Sequence, residues 1–379
     1  MKIKRTVSEF IQKRINQNKV LLLFGTRRVG KTHLIKEIER TLNIPYLHLN
    51  GEDADVLDIL ENRSIANYQR LLAGHKLLVI DEAQVIPDIG KILKLMIDSF
   101  EDLTIIATGS SAFDLSNQTG EPLTGRSYTY YLYPISQMEL SVFENILQTQ
   151  QNLDDRLIFG SYPEIFQLDS SEEKAEYLKN LVNSYLLKDI LHFENIKNST
   201  KIYDLLRLIA YQVGSEVSMD ELGKQLGMSK NTVGSYLDLL AKVQILFKLD
   251  GFSSNLRKEI TKSSKWYFFD NGIRNALIND FRMVPLRQDI GLLWENYCIY
   301  ERIKSNNNAQ IDANYYFWRT YDQQEIDLIE KKGSELNAFE FKFKNVKKKA
   351  PAFFVKNYPE AGFNIVNSKN YLEFILQEE

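Results

Sequence analysis

Val20-Leu21-Leu22-Leu23-Phe24-Gly25-Thr26-Arg27-Arg28-Val29-Gly30-Lys31-Thr32 is an apolar run that breaks at a glycine and closes on Gly-Lys-Thr, and its reading decides the fold of the first part of the chain. Residues 25–32 fit G-x-x-x-x-G-K-[ST]. The five apolar residues ahead predict a strand, and Leu34, Ile35 and Ile38 behind recur at helical spacing. A bound phosphate is polyanionic. A loop that cradles one must turn several backbone N–H groups inward and end on a helix N-terminus, and glycines at 25 and 30 permit that backbone approach. Gly25, Thr26, Arg27, Arg28, Val29, Gly30, Lys31 and Thr32 are therefore the candidate nucleotide-binding residues. Lys31 is expected to reach the β- and γ-phosphates of ATP, and Thr32 to give its hydroxyl to Mg²⁺.

Working outward, Leu77-Leu78-Val79-Ile80-Asp81-Glu82 is a second apolar run ending in two acids, as expected where a buried strand emerges at the carboxyl edge of a sheet. Asp81 is the candidate Mg²⁺ ligand, and Glu82 the group that orients and deprotonates the water attacking the γ-phosphate. A third run, Leu103 to Ala107, ends in Thr108-Gly109-Ser110-Ser111, polar groups able to sense the γ-phosphate if their strand lies between the other two. With Tyr46 to Leu49, these runs alternate with amphipathic stretches, which predicts an α/β fold on a parallel sheet.

Here the chain resembles the AAA superfamily of P-loop ATPases, in a bacterial and archaeal branch whose phosphate loop reads G-x-R-x-x-G-K-T and whose acidic strand ends D-E-A/I-Q. The matching residues are Gly25 to Thr32, with Arg27 in place, and Asp81-Glu82-Ala83-Gln84. The resemblance implies a sensor at Thr108 or Ser110. It also implies an L-x-G-R segment, here Leu123-Thr124-Gly125-Arg126, before a last strand Tyr128 to Leu132, making Arg126 a candidate arginine finger acting in cis or in trans. Gly160-Ser161-Tyr162-Pro163-Glu164 and the stretch Tyr185 to Ile190 also match this branch; Pro163 is expected to start a helix and Asp189 to cap another.

From Asn152 to Phe252 helix-period segments take over, Tyr177 to Ile190 and Ile202 to Val213 among them. Val217 to Leu249 reads as helix, turn at Gly227-Met228-Ser229, helix, then a strand from Ile245, a winged helix-turn-helix with Ser229 as N-cap. Lys230, Asn231, Ser235 and Lys242 are a modest outward surface for DNA, and docking of a protein or a lid role suits the same face.

Strand-like aromatic runs return at Trp266 to Phe269, Tyr315 to Trp318 and Ala338 to Phe343, with a helix over Asp289 to Lys304 ahead of a loop Ser305-Asn306-Asn307-Asn308. In Ala338-Phe339-Glu340-Phe341-Lys342-Phe343 the phenylalanines share one strand face, so Glu340 and Lys342 project together from the other. A hairpin with an even-length loop puts Asp327 of Glu325-Ile326-Asp327 on the Glu340 face as well. Two carboxylates and a lysine on one face can hold Mg²⁺ and a hydroxide for attack on a phosphodiester. This arrangement, behind a helix bearing Glu295, resembles the PD-(D/E)xK nuclease superfamily, with Ile326 where its proline stands. The resemblance implies Glu295, Asp327 and Glu340 as metal ligands and Lys342 as the catalytic lysine. Residues 331–349 also hold seven lysines against Glu335 and Glu340, a charge that suits a phosphate backbone.

The 379 residues, 44% hydrophobic and 26% charged, are enough for several cored domains. The boundaries expected are an ATPase domain at 1–150, a helical lid and winged helix at 151–262 and a restriction-endonuclease-like α/β domain at 263–379. Lys+Arg 47 against Asp+Glu 50 leave a formal net charge of -3, so any DNA contact must come from a local basic patch. The single Cys298, a start without a signal-type core and apolar runs far short of a membrane-crossing helix point to the cytosol and predict no membrane span. The expected activity is ATP hydrolysis by a switch or motor acting on DNA, with a homo-oligomer among its possible assemblies. The alternative is a signalling or scaffold ATPase whose nucleotide state controls docking of a protein partner.

Overall fold

In a computed structural model the three apolar runs of the first part become the centre of one parallel sheet. Residues 3–42, 44–110, 123–186, 199–253 and 264–377 are described. Strands β1 (Val20–Phe24), β3 (Leu77–Asp81) and β4 (Thr104–Gly109) are buried at every position, as strands covered on both faces must be. The flanking β2 (Tyr46–Asn50) and β5 (Ser127–Tyr131) carry exposed and half-exposed residues, as edge strands do. The order is β2-β3-β4-β1-β5, every pair parallel, so β4 is inserted between the phosphate-loop strand and the acidic strand.

Side chains alternate across these strands and build two cores. On one face Leu22, Ile80 and Ile105 pack with Ile92 and Met96 of helix α5 (Ile89–Ser99) and with Leu60 of α3 (Ala54–Glu61) and Tyr68 of α4 (Ile65–Leu72). On the other, Leu21, Leu23 and Val79 meet Val7 and Ile11 of α1 (Val7–Arg14) and Ile35 and Ile38 of α2 (Lys31–Thr41). Truncating one such side chain to alanine costs about 2 to 5 kcal/mol, and the layer it supports is what keeps the carboxyl edge in register.

Two compact units divide the chain, residues 2–133 with 242–244, and residues 134–241 with 245–379. The first ends at Tyr133 and not near 150, because Ser136, Gln137 and Glu139 are buried in the second unit, where Gln137 N donates to Glu301 Oε2 at 2.7 Å.

The second unit is built on a seven-stranded sheet ordered β12-β11-β10-β9-β7-β8-β6. Helices Met219–Leu226 and Lys230–Lys242 form a helix-turn-helix. Gly227 supplies its left-handed turn (φ 61°), and Ser229 Oγ caps the second helix by accepting from Thr232 N at 3.1 Å. Strands β6 (Glu216–Val217) and β7 (Leu246–Gly251) pair antiparallel with β8 (Ser264–Phe268). Through a parallel pairing with β9 (Asn314–Arg319), β7 joins this layer to β10 (Glu325–Lys332), β11 (Glu335–Phe341) and β12 (Gly362–Val366). The described parts of the helical middle and the C-terminal strands thus share one sheet.

Two local expectations change. The helix after Asp289 spans Ile290–Asn308 and takes in the expected Ser305 to Asn308 loop, since Asn306 Nδ2 finds Tyr315 OH at 2.7 Å and Glu330 Oε2 at 2.8 Å. Tertiary partners satisfy the amide that would otherwise favour a turn. Pro163 opens a short 3₁₀ turn, Pro163–Gln167. Asp189, the end of the stretch Tyr185 to Ile190 and Ser111 lie outside the described residues.

Candidate functional site

Gly25 ends β1 where nothing larger fits, since a Cβ there would lie 2.4 Å from Leu132 O. Arg28 (φ 64°) and Gly30 (φ 101°) then take left-handed backbone, which turns the loop into α2. Gly30 offers no side-chain cap, so the positive end of this eleven-residue helix's dipole faces the loop directly. Lys31 is buried, and its Nζ donates to the carbonyls of Gly25 (2.8 Å) and Thr26 (3.2 Å), a cation folded onto the loop that carries it.

One bond joins the two sequence motifs, with Thr32 Oγ1 donating to Asp81 Oδ2 at 2.7 Å. The other carboxylate oxygen of Asp81 accepts from Thr108 Oγ1, and that hydroxyl accepts from Glu82 N at 3.2 Å. The insertion of β4 is what delivers Thr108 there. Glu82 has a left-handed backbone (φ 51°), rare for a residue with a Cβ and common where function fixes geometry. Gly51 makes room for it, because a Cβ at 51 would meet Glu82 O at 2.5 Å. Gln84 Nε2 donates to Glu82 Oε2 at 2.6 Å and so aims the carboxylate. Ser110 is buried with a hydroxyl that has no hydrogen-bond partner among the described residues. The Thr32 hydroxyl and Asp81 carboxylate are hard oxygen donors side by side, and they fit a magnesium ion.

Arg126 is elsewhere. Its carbonyl accepts from Val20 N at 2.9 Å, which puts it at the amino end of β1, one five-residue strand, about 16 Å, from the loop. There its Nε pairs with Asp98 at 2.6 Å. In this arrangement Arg126 lies away from the phosphate loop.

In the second unit, β10 and β11 pair with Leu328 opposite Phe339, and their two-residue turn at Gly333-Ser334 sets Asp327 across from Glu340. Phe339 and Phe341 pack on Phe374 behind the sheet. Lys342 Nζ lies 2.8 Å from Glu340 Oε1 and 3.8 Å from Asp327 Oδ2, and Lys348 also bonds Glu340 Oε1. Glu340 is almost wholly buried, and its Oε2 has no hydrogen-bond partner among the described residues. A bulge between Ile326 and Ile329 re-aims the strand at this point. Asp327, Glu340, Lys342 and Lys348 line an open cleft of about 560 Å³ with Glu325 and Lys349.

Glu295 does not complete a three-carboxylate cage. Tyr267 OH donates to its Oε1 at 2.6 Å, Lys265 stands 3.9 Å away, and no group of three His, Cys, Asp or Glu among the described residues is arranged to hold a metal. Burial first, then the Asp327 charge, pushes Glu295 up to about 8. Burial and then Glu340 push Asp327 up as well. Burial works against the charged forms of Lys265 and Lys342, but the facing carboxylates outweigh it and hold both above the ordinary lysine value. Asp327, Glu340 and Lys342 thus come together as the strand pattern required. Lys265 and Tyr267 were missed, and Lys348, expected among the lysines for a phosphate backbone, bonds Glu340 instead. The signal for the first two was a lysine and a tyrosine alternating with Trp266 and Phe268 in a strand buried on both faces.

Residues 17–141 match a family model described as "AAA domain". Residues 150–283 and 290–376 match two models described as "Domain of unknown function", DUF8612 and DUF4143. An uncharacterized protein of Mycobacterium tuberculosis is 25% identical over 345 residues, 89% of this chain and 74% of its own length. One of Methanocaldococcus jannaschii is 23% identical over 363 residues, 86% of this chain and 81% of its own. Among solved structures, a Walker-type ATPase of Pyrococcus abyssi is similar over 73% of this chain and 96% of its own, with 15% identity and a TM-score of 0.49. The loop sequence and the strand order are those of a P-loop parallel sheet, and residues 17–141 are similar to the AAA domain family. No described helix is long and apolar enough to cross a membrane.

Proposed function

We propose that this protein is an ATP-hydrolysing switch or motor that acts on nucleic acid through the cleft of its second unit. The observation that carries the first half is the bond between Thr32 and Asp81 beside Lys31, which joins the phosphate loop to the acidic strand at one point. Bound Mg²⁺, held by Thr32 and Asp81, would supply positive charge that draws electron density from the terminal phosphoryl group. Lys31 leaves the carbonyls of Gly25 and Thr26 and donates to β- and γ-phosphate oxygens, exchanging neutral acceptors for charged ones. Glu82, aimed by Gln84, accepts a proton from the attacking water as ADP leaves. Thr108 links Asp81 to Glu82 N and is well placed to report the γ-phosphate, with Ser110 the second candidate sensor.

The nucleic-acid half rests on the cleft and the lysines around it. Asp327 and Glu340 oppose each other on one face, and Glu340 Oε2 is a buried acceptor suited to a divalent cation. Lys342 would stabilise charge on a phosphodiester, Lys347, Lys348 and Lys349 would bind its backbone, and the helix-turn-helix, read as a winged helix, would add a second contact. A specific observation favours a second reading, a signalling ATPase with an inert nuclease-like fold. Glu340 Oε1 is already shared by two lysines, and Glu295 is engaged by Tyr267.

ATP turnover measured alone and with duplex, branched and single-stranded DNA, beside a gel assay for cleavage, separates the two. Faster turnover on DNA, with Mg²⁺-dependent cutting lost in Glu340→Ala, is the expected result. Turnover indifferent to all three DNAs would leave the protein-docking reading, and absence of ATP binding would end both.

A further inference from the structure

We infer that Arg5 is a positioning residue of the nucleotide site, a clasp that makes the phosphate loop and the chain's exit from the first unit move together. The inference rests on the ATP-binding reading above.

Arg5 precedes α1 and is fixed by its first turn, where Ser8 N (3.1 Å) and Ser8 Oγ (2.8 Å) both donate to the Arg5 carbonyl. From there the buried guanidinium reaches two main-chain carbonyls, with Nη1 donating to Val29 O at 3.1 Å and Nη2 to Tyr133 O at 2.5 Å. Val29 belongs to the phosphate loop, and Tyr133 is the last residue of the first unit's continuous segment 2–133. The intervening backbone closes the circuit. Leu132 N donates to Phe24 O at 2.7 Å, and Gly25 leaves no room for a Cβ against Leu132 O. Residues 132 and 133 are therefore held to the start of the loop directly and to its end through Arg5.

The grip on Val29 bears on phosphate binding through peptide geometry. In a trans peptide the C=O and the following N–H point in opposite directions within one plane. Holding the Val29 carbonyl from outside the loop therefore fixes the opposite direction for the Gly30 N–H, the first of the donors leading into α2. A phosphate that pulls on that N–H rotates the same plane, and the rotation is felt at the guanidinium and at Tyr133. A planar fork of five donors suits two carbonyls far apart in sequence. A lysine ammonium, one point charge on a flexible stem, has no fixed spread to hold both.

Two measurements on the full-length protein test this. In the wild type, amide hydrogen exchange at Leu132, Tyr133 and Ile135, the N–H groups of segment 132–135, should slow several-fold when MgATP binds. In Arg5→Lys and Arg5→Gln, calorimetric MgATP affinity should fall about ten- to hundredfold, the size of one or two hydrogen bonds to a charged group, and any remaining binding should no longer slow exchange at 132–135. A purely structural arginine would lower the nucleotide-free melting midpoint but leave the affinity of the folded variants within about twofold, which overturns the inference. If Arg5→Gln fails to fold, Arg5→Lys and the wild-type exchange decide it. Wild-type protein that binds no MgATP would break the functional reading instead, whereas normal binding with unresponsive 132–135 and unaffected variants breaks this inference alone.

Discussion

At the carboxyl edge of the first sheet the acids are met by uncharged partners, and in the cleft of the second unit they are met by lysines. Asp81 is bracketed by the hydroxyls of Thr32 and Thr108, and Glu82 is aimed by the amide of Gln84. Glu340 is shared by Lys342 and Lys348, and Asp327 faces Lys342. Hydroxyls and amides orient a carboxylate without cancelling its charge, so the first site keeps its charge for a cation and a triphosphate. Lysines orient and cancel together, so a ligand entering the second site must first displace them. The difference teaches that similar sets of residues can be poised or self-satisfied, depending on which partners the fold supplies.

The comparison breaks most sharply at Lys31. Lys31→Ala should lower ATP turnover by about 10² to 10³ or abolish it, and a variant with wild-type steady-state hydrolysis would remove the first site from the comparison. Glu82→Gln should bind MgATP within a few-fold of wild type yet turn it over about a hundredfold more slowly, as expected when a general base is lost. Parallel calorimetry and single-turnover assays check this, and normal turnover would place the water-activating group elsewhere. At the second site, Lys348→Ala should tighten Mn²⁺ binding about two- to fivefold, since one exposed competitor for Glu340 is gone. Equal affinities in a calorimetric titration would show that Lys348 does not compete, and no binding in either form would show that the cleft takes no cation.

The smallest expected effect concerns how the second unit treats a buried acid outside the cleft. Asp270 accepts from Ser161 N at 2.7 Å and Ile273 N at 3.2 Å, and burial, against those bonds, pushes it up to about 6. The folded chain thus holds this proton more tightly than the unfolded chain, whose carboxyl titrates near ~3.9. Its contribution to stability therefore falls as pH rises from about 4 to 6 and is level above that. Asp270→Asn should flatten that slice of the melting-midpoint profile, and an unchanged slope between pH 4 and 6 would show that Asp270 does not titrate there.

What was legible followed from period and punctuation. The loop, the polar end of the Thr108 strand and, given an even hairpin loop, the opposition of Asp327 to Glu340 each come from local rules: a glycine pattern, a strand end, an alternation of two; that the Thr108 strand lies beside the Asp81 strand does not. What was not legible depended on partners distant in sequence. Asn306 stays helical because Tyr315 and Glu330 receive its amide. Glu295 is held by Tyr267 and Lys265 from a strand that no spacing rule connects to it. Arg126 matched a motif, yet the parallel pairing of β5 with β1 fixes it at the far end of the strand.

The helix Ile290–Asn308 carries Glu295 near one end, while Glu301 and Lys304 further along bond Gln137 N and Ile135 O. A nineteen-residue helix is about 28 Å long and, buried along most of that length, it transmits displacement as a rod does. Strain arriving where residues 135–137 enter the second unit would therefore be delivered to the carboxylate of Glu295 with little lost to bending.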